Sequence, residues 1–152
     1  MPQHTSSSVL KCSADTLRSF LGRPVNFPQI SNPDLKLEII SAPELVTVGE
    51  RIEFRITALG IKQRAIHEYV QVEQGIIVET LIEGSLRAWR HSQKIEVATG
   101  GECRLTDEVE FEPPGGMLGF VMNEKRIRES LNEGMEFRYS ALEELIASGV
   151  IS

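Results

Sequence analysis

The stretch Gly101–Phe120, GECRLTDEVEFEPPGGMLGF, decides the fold. Leu105, Val109 and Phe111 alternate with Thr106, Glu108 and Glu110, the period-two pattern of a half-buried strand. Pro113-Pro114-Gly115-Gly116 ends that strand, because proline cannot donate to a ladder and Gly-rich pairs mark turns. Downstream the period changes. Ile127, Leu131, Gly134, Met135, Arg138, Leu142 and Leu145 fall along one stripe at three-to-four spacing. The pattern predicts a helix of roughly 25 to 30 residues, about 40 Å long. One residue breaks the simple picture, since Asp107 shares the strand face of Leu105 and Val109. A carboxylate there requires a partner, a wet cavity, or the solvated end of the strand.

Upstream, the same period of two recurs. LKLEIIS (35–41), RIEFRITALG (51–60), AIHEYVQVEQG (65–75), IIVETLIEG (76–84) and RAWRHSQKIEVATGG (87–101) are strand candidates separated by turn residues. Residues 4–12, HTSSSVLKC, read as a first strand. Ser13 is an N-cap for a short helix carrying Leu17, Phe20 and Leu21, and Gly22 ends it. Pro24 then opens a second short helix that stops near Pro28. The order is strand, two short helices, six strands, one long helix. This is an α+β chain whose antiparallel meander must cover one apolar face, and only the last helix is long enough to do so. A twisted sheet curling round that helix leaves room between them.

The 152 residues fit one domain, 1–152, large enough to bury a core without disulfides or metal. A net charge of −6 argues against a nucleic-acid partner, which calls for a basic face. No apolar run reaches the ~20 residues of a membrane span, and Met1–Cys12 has no apolar core of a secretory signal, so a cytoplasmic protein without integral membrane association is expected. Cys12 and Cys103 are expected to be reduced, buried thiols. No metal site is expected, since His4, His67 and His91 do not recur at ligand spacing, and no nucleotide-cofactor fingerprint is present.

An ordered set of motifs resembles the START-like or SRPBCC superfamily, the helix-grip fold, and within it the bacterial ligand-binding and polyketide cyclase/dehydrase-like branch. The leader Phe20-Leu21-Gly22-Arg23-Pro24-Val25-Asn26-Phe27-Pro28-Gln29-Ile30 matches FL-x-x-P-x-N-x-P-x-I. Trp89 to Ile95 partly matches W-x-H-x-H-x-F, and Asp107 to Gly116 matches D-x-V-x-Y-x-x-P-x-G. Met135-Glu136-Phe137-Arg138 stands for an F-x-Y-R-like helix. The departures are Gln93 for the second histidine, Ile95 for the aromatic, and Phe111 for the tyrosine. The resemblance implies a curled sheet of about seven strands around a long C-terminal helix. It also implies a small hydrophobic ligand, lipid-like, polyketide-like or terpenoid-like, and no cofactor.

Strand parity turns His91 and Gln93 inward with Ile95, and pairing through Gly100-Gly101 brings Asp107 close to Gln93 or Ile95. Such a cluster could hold a ligand's hydroxyl or carbonyl, poise His91 or Asp107 as a general base, or only satisfy itself. Arg138 lies on the helical stripe and could pair with Asp107 or Glu68, or hold an anionic group. His67 reads as exposed, with Glu68 on the apolar side of its strand. Gly134 marks either a close approach to the helix or a kink. Expected pocket walls are Phe54, Trp89, Val109, Phe111, Met117, Leu131 and Met135, with Phe120 and Tyr69 as further aromatic candidates. Three functions follow: a binder of a small apolar or amphipathic molecule, a cyclase or dehydratase, and an interaction module with a filled core.

Overall fold

The structure, a computed structural model, describes residues 1–152. In chain order it contains β1 (Gln3–Leu10), α1 (Ala14–Leu21), 3₁₀ stretches at Pro24–Ile30 and Pro33–Leu35, β2 (Glu38–Ser41), β3 (Arg51–Ala58), β4 (Ile61–Glu73), β5 (Ile76–Glu83), β6 (Ala88–Val97), β7 (Cys103–Glu112), α2 (Leu118–Val121) and α3 (Glu124–Ala147). The seven strands form one antiparallel sheet in the order β1-β7-β6-β5-β4-β3-β2. Five hairpins run the meander from β2 to β7, and β1 joins beyond β7.

Local chemistry fixes the boundaries. The Ser13 hydroxyl accepts from the Thr16 amide at 3.1 Å and caps α1. The Asn123 side chain likewise caps α3, accepting from the Arg126 amide at 3.0 Å. That cap sets the start of α3 at Glu124, so the helix has 24 residues and the segment before it forms the separate short turn of α2. β2 starts later than the alternation from Leu35 suggests. The Asn32 side chain accepts from the Asp34 amide, Pro33 opens a 3₁₀ turn, and Lys36 takes a left-handed conformation.

The sheet curls through two irregularities between β4 and β5. The register skips Ile82 of β5 between the pairs Ile66–Glu83 and His67–Leu81, and skips Val70 of β4 between Tyr69–Glu79 and Gln71–Val78. Such bulges bend a strand and raise its twist. The second one also reverses parity. His67 and Tyr69 turn inward, Val70 turns outward, and Val72 packs on the core again. The expectation of an exposed His67 and an inward Glu68 is thereby corrected: His67 is buried, and Glu68 bonds Arg51 on the other face.

α3 lies across the concave face and divides the core. Its C-terminal half, through Ala141 and Leu142, meets α1 and the strands at Leu17, Leu21, Ile77, Ile95 and Leu105. Its N-terminal half, through Ile127 and Met135, meets Val109, Phe111 and Met122. Cys103 is buried, whereas Cys12 is only half-buried; both thiols are free. No helix is long and apolar enough to cross a membrane. Leu142 is fully enclosed in the larger cluster. Leu142→Ala is expected to lower the unfolding free energy by about 2–5 kcal/mol in urea titrations, as for other buried leucines.

Candidate functional site

Between the two core clusters lies a run of polar side chains that crosses four strands and reaches α3. Register places its members opposite one another: Glu79 of β5 faces His91 of β6, and Gln93 of β6 faces Asp107 of β7. Asp107 is fully buried and accepts four hydrogen bonds. Oδ1 receives His91 Nε2 at 2.7 Å and Arg138 Nη2 at 3.2 Å. Oδ2 receives Arg138 Nε at 3.1 Å and the Tyr139 hydroxyl at 2.8 Å. Arg138 Nη2 also donates to Gln93 Oε1 at 2.7 Å. On the other side of His91, Nδ1 lies 3.3 Å from Glu79 Oε1, and His67 Nδ1 lies 3.4 Å from Glu79 Oε2.

The ionisation of this run follows from its contacts. Burial alone would raise the Asp107 carboxyl, but the Arg138 guanidinium and the His91 bond hold it down to about 2. Burial likewise opposes ionisation of Glu79, and the two histidines bring it well below the usual carboxylate range. Burial would discharge His91, yet hydrogen bonds to Asp107 and Glu79 raise it to about 9. Both ring nitrogens of His91 face ionised carboxylates, which only accept, so both carry hydrogen and the ring is an imidazolium. Burial and the Asp107 charge push the Tyr139 hydroxyl far up, so it stays a donor.

Beside this run, between α3 and the inner face of β3–β6, is a cavity of about 320 Å³. Eighteen of its 30 lining residues are hydrophobic, which makes it an apolar chamber with a few fixed polar groups. Of the residues singled out in the sequence, Phe54, Trp89, His91, Gln93, Leu131, Gly134, Met135 and Arg138 line it. Gly134 sits in an uninterrupted α3, not at a break, and a Cβ added there would meet nothing within 4 Å.

Asp107, Val109, Phe111 and Met117 do not line the chamber. Asp107 is shielded behind its donors. Val109 and Phe111 point inward but are covered by Met122, Ile127 and Met135. Met117 and Phe120, 86% and 82% exposed, stand on the surface, while Leu118 and Met122 of the same segment pack toward Val109 and Phe111. Tyr69 is core. His67 and Glu79 line the chamber and escaped the sequence reading. The bulge at Val70 hid the first; the second resembles any solvent-side glutamate in an alternating strand.

As general bases, His91 and Asp107 are both committed elsewhere. His91 has no free lone pair, and Asp107 accepts four bonds out of contact with the chamber.

No protein-family model and no curated protein matches the sequence. Solved structures do match. A START superfamily protein from Mycobacterium smegmatis is similar at a TM-score of 0.74 and 16% identity, over 96% of this chain and 97% of that one. A protein from Thermus thermophilus is similar at 0.72 and 16%, over 97% of this chain and 99% of that one. Ginseng major latex-like protein 151 from Panax ginseng gives 0.69 and 14%, over 94% and 95%. The fold is the START-like helix grip.

Within this helix grip the polar run makes stability depend on pH in a defined way. The folded His91 lies above its ordinary 6.5, so its contribution is complete below pH 6.5 and is lost as pH rises toward about 9. The folded Asp107 lies below its ordinary 3.8, so its contribution is complete above that value and is lost as pH falls toward about 2. Urea titrations are expected to show a plateau between these limits and a decline on the alkaline side by roughly 1–3 kcal/mol. In His91→Gln the decline between pH 6.5 and about 9 should disappear.

Proposed function

We propose that this protein binds a small hydrophobic or amphipathic molecule in the chamber between the curled sheet and α3. The observation that carries this reading is the combination of an apolar chamber of about 320 Å³ with a glycine, Gly134, at the point where a larger residue of α3 would intrude. A mid-helix glycine costs about 1 kcal/mol against alanine, and the space beside it accounts for the residue. Packing alone would favour a side chain there.

Phe54, Trp89, Leu131 and Met135 form walls for the ligand's apolar body. His91, Gln93 and Arg138 form the polar margin. The resemblance to START-like and cyclase-like proteins favours lipid-like, polyketide-like or terpenoid-like compounds over sugars or nucleotides, and so does an apolar lining. The protein works as a cytoplasmic carrier or sensor of such a compound. A cyclase or dehydratase is the second reading of the resemblance; with the lone pairs of His91 and Asp107 engaged, no observation favours it. A filled core, the third reading, is disfavoured by the chamber itself.

Two substitutions at one position test the proposal. Gly134→Ala should raise stability by about 0.5–1 kcal/mol, because alanine restricts the unfolded chain and meets no neighbour. Gly134→Phe should fill the chamber. It is expected to weaken binding of a fluorescent apolar reporter by roughly tenfold or more, with unchanged far-UV circular dichroism. Undiminished reporter binding in a folded Gly134→Phe protein would count against the chamber as the binding site.

A further inference from the structure

The hydrogen-bonding ledger of the polar margin narrows the kind of molecule the chamber takes. A guanidinium has five N–H groups. Arg138 uses three of them, Nε on Asp107 and both of Nη2 on Asp107 and Gln93. The two on Nη1 bond nothing in the chain, although the side chain is only 13% exposed and faces the chamber. Gln93 adds to this. Arginine only donates, so Gln93 must turn Oε1 to it, which leaves Nε2 as its free end. Gln93 is 4% exposed and also lines the chamber. Neither Arg138 Nη1 nor Gln93 Nε2 is sealed off from the chamber as an orphaned buried atom. The margin at Arg138 and Gln93 therefore presents donors. At this end of the chamber both oxygens of Asp107 are bonded, and each oxygen of Glu79 lies against a histidine ring nitrogen.

Charge decides the rest. Asp107 and Glu79 are two carboxylates, with the Arg138 guanidinium bonded to the first and the His91 imidazolium lying between both. A carboxylate ligand would bring a third negative charge beside Asp107 and Glu79 and would lose its hydration. An ammonium would meet the guanidinium and, having only donors, could accept from neither Arg138 Nη1 nor Gln93 Nε2. A plain hydrocarbon would strip water from Nη1 and Nε2 and leave them unpaired.

We propose that the preferred ligand is an uncharged molecule with a carbonyl-type acceptor at one end of an apolar body, the oxygen held by Arg138 Nη1 and Gln93 Nε2. This rests on the reading of the chamber as a ligand container and adds the chemistry of the ligand's head.

Four probes with matched apolar bodies separate the possibilities: methyl octyl ketone, decane, decanoate and decylamine, titrated into the intact protein by displacement of a fluorescent reporter. The ketone is expected to bind on the order of tenfold more tightly than decane, since it gains about two hydrogen bonds, and more tightly than either ion. Gln93→Met should erase most of the ketone's advantage over decane. The wild-type ranking stands as a test even where that variant does not fold. Equal binding of ketone and decane, or tighter binding of decanoate or decylamine, overturns the head-group assignment and leaves the container reading standing. Binding by none of the four overturns both.

Discussion

The structure depends on one buried carboxylate. Asp107 sits on the concave face of β7, in line with Leu105, Val109 and Phe111, and is fully enclosed. An unpaired carboxylate there would cost several kcal/mol. Four donors offset that cost, and they come from two different elements: His91 from β6, Arg138 and Tyr139 from α3. The carboxylate is thus the polar joint by which the helix is fastened to the sheet at mid-length. Apolar packing holds the helix on both sides of the joint, with Leu142 and Ala141 toward one end and Ile127 and Met135 toward the other. The chamber lies beside the joint, where the curling strands β3 to β6 stand off from the helix.

The joint also shapes the chemistry of the chamber. Because His91 donates from both nitrogens and Asp107 accepts from every side, the two titratable groups that look most reactive in the sequence are locked into structure. What they leave exposed is the far side of Arg138 and the amide nitrogen of Gln93. Stability and the polar margin of the chamber are in this way consequences of the same bonds. The replacement of the second motif histidine by Gln93 fits this account. A neutral amide can accept from Arg138 and still donate toward the chamber without adding a charge.

Much of this was legible in the sequence, for physical reasons that differ by element. The period-two runs of β3, β6 and β7 carry no bulged residue of their own, so parity named their inward residues correctly, including Phe54, Gln93 and Asp107. The pairing of β6 with β7 followed from a single Gly-Gly turn, and with it the nearness of Gln93 to Asp107. β4 defeated the same logic, because one extra residue at Val70 exchanges its faces and parity cannot see a bulge. Glu79 was illegible for another reason: its burial is explained only by His67 and His91, which reach it from neighbouring strands. Val109 and Phe111 were rightly placed inward, but the covering residues Met122 and Ile127 come from a segment whose path depends on the turn at Gly116. Inward direction follows from periodicity, whereas facing a cavity depends on what packs opposite.

The central claim is that His91 lies as an imidazolium between Asp107 and Glu79, the second cation of the run beside Arg138. Nitrogen-15 NMR of the imidazole rings in the intact protein near neutral pH tests it most directly. The account predicts that His91 shows two protonated ring nitrogens, each coupled to a slowly exchanging proton, with no change of state until pH approaches 9. A His91 ring with one bare nitrogen at neutral pH would contradict it, and would return His91 to the status of an available base.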